Sequence, residues 1–424
     1  MIKRIKKAIK RITNRLNVFN YKRRQASIQN SIGSKSHVNV VFFAVNVGMW
    51  KNDGLFQLLL KDEHFHPVVI SFLLRQNTMD YWKNTQKEMR PFFESKGYPY
   101  YDSYDFKTKE WVDINRFSPD IVIYAQQGNY NSSHEGLRIE KLWNRCLFAY
   151  TPYGWITQEA PSLYGGLLTG LAWKIFVSTE FDKSMYAKYS LGKGKNNVVS
   201  GCSFADDISN CKEDNTWKDK GTQKYRIIWA PHHSILSSDL LDYSNFLDLA
   251  GPMLDLADKY KDMVQFAFKP HPRLIDKLYK TKGWGVEKTN NYYNEWATRP
   301  NTMYISGDYA SLFKYSDALI HDCGAFTAEY LYAQKPVFYI VKSESSHYLS
   351  LNEFGRLCFD QHYKGHSIED IEAFIENVVI KGNDPLKEGR KSFYHQYLCP
   401  PNNRSVAENM YSEFVSLINP QTQI

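Results

Sequence analysis

Residues 309–340 read YASLFKYSDALIHDCGAFTAEYLYAQKPVFYI, and a short KPHP lies upstream at Lys269–Pro272. Two brief apolar runs, Ala318–Ile320 and Pro336–Val341, flank a helix expected over Ala325–Ala333. The first run ends in His321-Asp322-Cys323-Gly324, and the run at Met263–Lys269 ends in Pro270-His271-Pro272. Strands that stop at such residues, with helix starts just beyond them, are where parallel α/β sheets hold phosphate-bearing ligands.

The same alternation extends in both directions. Tyr225–Ala230 is a further strand, ending at Pro231-His232-His233-Ser234, and Thr302–Ile305 another. Helices are expected over 239–260, 308–315, 368–380 and 403–418. Upstream, Val38–Val47 is a near-continuous apolar run, typical of a strand buried on both faces. Strands follow at 67–72, 119–125, 146–151, 174–178 and 197–200, with helices from Leu55, over 80–96 and near 134–145. Strand–helix alternation repeated in two halves predicts an α/β protein with two Rossmann-like domains facing a cleft (GT-B type), preceded by an N-terminal basic amphipathic helix. The expected division is a helix over 1–25, an acceptor domain over 36–202, a nucleotide-donor domain over 225–400 and a C-terminal helix over 403–418. Gln25–Ser36 and 203–224 are polar, lack an apolar period and read as linkers.

The chain has 424 residues, more than one ordinary core accommodates. Its formal charge of +8 comes from one segment, because the first 25 residues carry ten Lys or Arg and no acid, leaving 43 basic against 45 acidic residues. Ile2, Ile5, Ile9, Ile12, Leu16 and Phe19 fall three or four apart, one stripe of a helix whose other faces are basic. That pattern suits an anionic membrane surface. Packing on its own domain is the bland alternative, and the balanced charge elsewhere argues against nucleic acid as a partner. No apolar run reaches the length of a membrane span, and no secretory signal is read. Six cysteines in no metal-ligand spacing suit a reducing compartment.

The candidate chemistry lies at the strand ends. Pro272 restrains His271 to an extended backbone, so its imidazole can donate to a phosphate and steady charge on a leaving nucleotide, with Lys269 and Arg273 adding positive charge. Gly324, Ala325 and Phe326 offer backbone amides for a pyrophosphate, Cys323 and Gly324 are small enough for close approach, and Glu329 lies one turn on, within reach of a ribose hydroxyl. His321 and Asp322 orient that loop or touch phosphate, although Asp322 could equally cap a helix. His232 and Ser234 are phosphate contacts or structural. A metal shared by His232 and His233 is not expected, since neighbours on an extended chain point apart. In the first half Asp53 and Glu159 are candidate bases, and Thr151 and Tyr153 candidate acceptor contacts. Asp53 could simply cap a helix, and Tyr153 could be a packed aromatic.

At Lys269-Pro270-His271-Pro272, and at Asp322-Cys323-Gly324-Ala325 with Glu329, the chain resembles the CDP-glycerol glycerophosphotransferase family of teichoic-acid polymerases and primases. The resemblance covers 225–341 best. It departs where the family has Ser-Ser, here Cys323-Gly324, and where it has Trp-His-Gly-Thr, here Tyr150-Thr151-Pro152-Tyr153-Gly154. It implies a transferase moving a glycerol-phosphate-like group from a CDP-alditol donor to a lipid-linked or polymeric glycan, peripheral to the cytoplasmic face of a bacterial plasma membrane. No tightly bound cofactor and no metal ligands are implied, and a divalent metal requirement is left open. The alternatives are a GT-B glycosyltransferase using a CMP- or UDP-sugar, a two-Rossmann epimerase, and a non-catalytic assembly factor.

Overall fold

The computed structural model describes residues 19–125, 132–214, 216–217, 224–236, 243–307, 309–342 and 350–419. They divide into two compact units. Met1–Gly154, Ala160–Asp206 and Pro400–Ile424 form the first; Trp155–Glu159 and Asp207–Cys399 form the second.

The first unit is built on β1 (Val38–Ala44), β2 (Phe65–Ser71) and β3 (Tyr100–Tyr101), then β6 (Ile121–Tyr124), β7 (Leu147–Tyr150), β8 (Lys174–Val177) and β9 (Asn197–Val199). A small antiparallel hairpin, β4 (Tyr104–Asp105) with β5 (Glu110–Trp111), stands apart from the sheet. The sheet order is β3-β2-β1-β6-β7-β8-β9, all parallel. β1 is central and buried at all but one position, which explains its unbroken apolar run.

The second unit carries β10 (Tyr225–Ala230), β11 (Val264–Phe268), β12 (Thr302–Tyr304), β13 (Ala318–His321), β14 (Val337–Ile340) and β15 (Tyr363–Gly365). These run in the order β12-β11-β10-β13-β14-β15, again all parallel. Its core is aromatic: Trp229 lies 5.1 to 5.7 Å, centroid to centroid, from Phe246, Phe268 and Trp296. Burying each such ring contributes on the order of 2–3 kcal/mol. The helix Phe246–Lys259 covers one side with Leu249, Ala250, Met253 and Leu256 buried. The helix Gly285–Thr298 buries Thr289, Tyr292, Tyr293 and Trp296.

Several boundaries differ from expectation. The polar stretch at 25–36 is mostly helical: a helix runs over 19–33, with Tyr21 and Ile32 buried. The Tyr21 hydroxyl donates to the Cys146 carbonyl at 3.1 Å, and its ring stacks on Phe148. Two buried side chains anchor that helix while its polar residues face water, so no apolar period marks it. Within 203–224, Phe204–Asn210 is helical, and Trp217 is buried with its indole N–H on the Leu312 carbonyl. The last helix, Val406–Ile418, belongs to the first unit. There Phe414 packs against Phe65, Trp173 and Phe176, and the Asp206 carboxylate accepts from the amides of Val406 and Ala407. A Ser405–Glu408 capping box starts this helix, as Thr179–Asp182 starts Glu180–Tyr189 and Ser367–Asp370 starts Ile368–Phe374. Among the described residues no helix is long and apolar enough to cross a membrane.

Candidate functional site

In the second sheet the strand order turns back between β10 and β13, and at such a point the loops leaving neighbouring strands diverge and open a crevice. Because the sheet is parallel, β10, β11 and β13 deliver His232 and His233, Lys269 and His271, and Asp322 and Cys323 to one edge. Two backbone bonds lock the first loops together: the Lys269 amide donates to the Trp229 carbonyl (2.8 Å) and the His271 amide to the Pro231 carbonyl (3.0 Å).

The three imidazoles converge. Ring centroids lie 4.2 Å apart for His232 and His233, 4.1 Å for His233 and His271, and 5.1 Å for His232 and His271. The two adjacent histidines therefore do not point apart. A turn closed by the Ile235 amide on the His233 carbonyl folds them to one side, and one ring nitrogen from each of the three lies within 4.8 Å of the others. Burial and the positive charge of Arg273, Lys269 and Lys277, with His233 close by, push His271 down to about 3, so it acts as a neutral imidazole at physiological pH.

Asp322 faces the interior, 1% exposed. One oxygen accepts from the His232 amide at 2.5 Å and the other from the Asn245 amide at 3.0 Å. It caps no helix of its own loop; it ties the loop after β10, and the start of the next helix, to β13. Burial lifts its carboxyl to about 6, against the pull of those amide bonds. His321 is wholly buried beside Tyr339 and His362, so its ring sits within the fold and not on the loop surface. Cys323 donates to the Ala230 carbonyl, and burial pushes its thiol well up, which suits a packed small residue. Ser234 is buried too; its hydroxyl lies 2.8 Å from His232 Nδ1 and accepts from the Tyr243 amide.

At Gly324 the close approach is made by the chain itself. The Thr157 hydroxyl donates to its carbonyl at 3.2 Å, and a Cβ there would meet Gln158 Nε2 at 2.6 Å. Trp155–Glu159 thus packs on this bend as part of the second unit, fixed by a bridge between Gln158 and Leu351 and by Asn352 Nδ2 on the Ile156 carbonyl. The helix beyond is a single turn, Phe326–Glu329, with Ala325 exposed and Phe326 packed on Tyr309 and Phe313. Glu329 is buried and accepts from the Tyr309 hydroxyl at 2.7 Å, while Lys269 Nζ sits 5.4 Å from the centroid of the Tyr309 ring. Tyr309 escaped the sequence reading although it opens the quoted stretch. Arg273 is exposed and precedes the helix Leu274–Leu278.

The first-half candidates fall differently. Asp53 is the first residue of the helix Asp53–Lys61, and its carboxylate takes bonds from Trp50 Nε1, Tyr98 OH, Gln57 Nε2 and Lys96 Nζ. Four donors thus hold that carboxylate in place beside the helix start. Glu159 belongs to the second unit, not the first, and is exposed. Thr151 follows β7 and is buried, with no hydrogen bond to its hydroxyl oxygen among the described residues. Tyr153 is exposed. Ile2, Ile5, Ile9, Ile12 and Leu16 lie outside the described residues; Phe19 is 59% exposed, with Arg23 over its ring.

Two parallel α/β sheets of this kind define a GT-B-type fold. In solved structures the likeness includes the wall teichoic acid polymerase TagF, at TM-score 0.59 and 11% identity over 100% of both chains. It also includes a UDP-N-acetylglucosamine 2-epimerase (TM-score 0.58, 11% identity, 92% of this chain and 98% of that one) and S. aureus MnaA in complex with UDP (0.54, 13%, 90% and 97%). At these identities the relationship is one of fold. No protein-family model and no curated protein matches the chain by sequence.

Proposed function

We propose that the chain is a cell-envelope transferase that moves an alditol-phosphate group from a CDP-activated donor to a lipid-linked or polymeric glycan. The observation that carries this reading is the convergence of His232, His233 and His271 where the second sheet's strand order turns back. Likeness to a teichoic acid polymerase over the full length of both chains supports the class of chemistry. An acceptor hydroxyl attacks the phosphorus bearing the alditol, its proton leaves to a base, a new P–O bond forms, and the bond to the CMP oxygen breaks. Positioning and charge stabilisation supply most of the catalysis in such a reaction. His271 donates to the leaving phosphate, His232 assists, and Lys269 adds positive charge. The Tyr309–Glu329 pair receives the ribose. The amide of the exposed residue Ala325 contacts the pyrophosphate. The basic apolar stripe before Phe19 brings the enzyme to an anionic membrane surface, where a lipid-linked acceptor resides.

Neighbours bound to UDP or acting on UDP-N-acetylglucosamine support a second reading, a nucleotide-sugar enzyme of the same fold. Incubation with labelled CDP-glycerol, CMP-sugar and UDP-sugar separates the two. CMP release with transfer of label from CDP-glycerol to membranes is the expected result. Turnover of a UDP-sugar alone, by transfer or epimerisation, overturns it.

A further inference from the structure

Three strand-end histidines repeat one local device. The Ser234 amide donates to His232 Nδ1 at 3.2 Å, the Arg273 amide to His271 Nδ1 at 3.1 Å, and the Cys323 amide to His321 Nδ1 at 3.1 Å. In each case the donor lies two residues on, where the chain turns at the end of its strand. At His232 the Ser234 hydroxyl also lies 2.8 Å from Nδ1, and its oxygen accepts from the Tyr243 amide. A nitrogen that accepts hydrogen bonds carries no proton, so the proton of the neutral ring stands on Nε2.

We infer that His232 and His271 are locked as neutral Nε2–H imidazoles, that they form, beside His233, a cradle of N–H donors for phosphate oxygens, and that the cluster is not a divalent-metal site. This rests on reading the cluster as the phosphate site of an activated donor. A metal-ligating histidine offers its Nε2 lone pair and donates its other N–H to a carboxylate or carbonyl. Here that second nitrogen meets donors in both rings, so binding a metal would turn a ring N–H against a backbone N–H. The charged groups around the cluster point the same way. Lys269, Arg273 and Lys277 bring positive charge to His271. The Asp322 carboxylate accepts from the amides of His232 and Asn245, and no carboxylate is among the three convergent groups. The aromatic neighbour is Tyr243, 5.6 Å from His232. A neutral donor also keeps its proton as pH rises, whereas an imidazolium loses charge and affinity.

The direct test is long-range 1H–15N correlation spectroscopy of the full chain labelled at histidine, which reports the tautomer without a ligand. His232 and His271 should both show the Nε2–H pattern at about pH 7. Arg273→Pro deletes the amide that fixes His271, whereas Arg273→Ala keeps it and removes only charge. The proline variant should lose the single tautomer and the alanine variant retain it. Affinity for inorganic pyrophosphate should change less than about threefold from about pH 7 to about pH 9, where an imidazolium site would lose on the order of tenfold or more. Zn2+ should give no saturable stabilisation. An Nδ1–H pattern at His271, saturable Zn2+ binding abolished by His271→Ala, or no pyrophosphate binding would each overturn the inference. Pyrophosphate binding with the expected tautomers, but no turnover of any CDP donor, leaves the inference standing and removes the alditol-phosphate reading.

Discussion

Replacing Asp322 tests the centre of the site, because its carboxylate carries two opposed effects. It accepts two buried backbone amides, those of His232 and Asn245, at 2.5 and 3.0 Å. Each amide left without a partner costs about 1–3 kcal/mol, so Asp322→Ala removes about 2–6 kcal/mol of bonding. Against that stands the burial of the charge, which lifts the carboxyl to about 6. An unfolded aspartate titrates near 3.9, so the difference is about two units, on the order of 3 kcal/mol. The sign follows from proton binding. Between about pH 4 and about pH 6 the folded state holds a proton that the unfolded state has released, so stability from this group is full below that window and is lost as pH rises through it. Asp322→Ala should therefore cost about 2–6 kcal/mol near pH 4 and about 3 kcal/mol less than that near pH 7. Asp322→Asn has the shape of the protonated acid. It keeps one acceptor oxygen but turns its NH2 towards the other backbone amide, so it should cost about 1–3 kcal/mol near pH 4, show no such pH dependence, and lie closer to the unsubstituted protein near pH 7. Urea unfolding at three pH values measures all of this through the transition midpoints. If stability instead rises from pH 4 to pH 7 and Asp322→Asn abolishes the rise, the amide bonds outweigh burial and the reasoning fails.

Other outcomes follow from single contacts. His271→Ala should lower donor turnover by about 10²-fold with a smaller effect on the unfolding midpoint, because the ring is only partly buried and its role is at the phosphate; unchanged turnover in a steady-state assay places the phosphate elsewhere. At Gly355 an added Cβ would lie 2.2 Å from the Thr157 carbonyl oxygen, a backbone atom, so Gly355→Ala should destabilise by about 1–3 kcal/mol in thermal unfolding. Gly324→Ala meets only the flexible end of Gln158, and pairing it with Gln158→Ala should recover most of its smaller loss. Deleting residues 1–18 should abolish pelleting with anionic vesicles and leave the unfolding midpoint unchanged, because the buried anchor Tyr21 is retained; vesicle binding that survives the deletion assigns the membrane contact to another surface.

The strand ends were legible because a parallel sheet demands unbroken apolar runs, and the residues that break them stand out. Ala318–His321 followed by Asp322-Cys323-Gly324 is such a break, and its fold-level reading needs no other information. What those residues touch was not legible. The amides that Asp322 holds lie 90 and 77 residues away in sequence, and a backbone donor leaves no mark in the sequence. The smallness of Gly324 was real, but the group that uses the space is Gln158, brought there by pairing with Leu351. The helix Gly285–Thr298 was missed for another reason: glycine, asparagine and threonine depress its local propensity, although Thr289, Tyr292, Tyr293 and Trp296 keep a helical spacing and are buried. The convergence of His232 and His233 depends on a turn whose residues, His-His-Ser-Ile, include only the serine among the usual turn formers.

The chain changes allegiance late. Its last described helix completes the first unit's core through Phe414, more than 200 residues after the rest of that unit's sheet, and Trp155–Glu159 reaches forward into the second. On a ribosome, the half made first must therefore wait for the half made last. A protein truncated near Cys399 would leave Trp173 and Phe176 without the Phe414 ring, so a premature stop codon there should harm the first unit before the second.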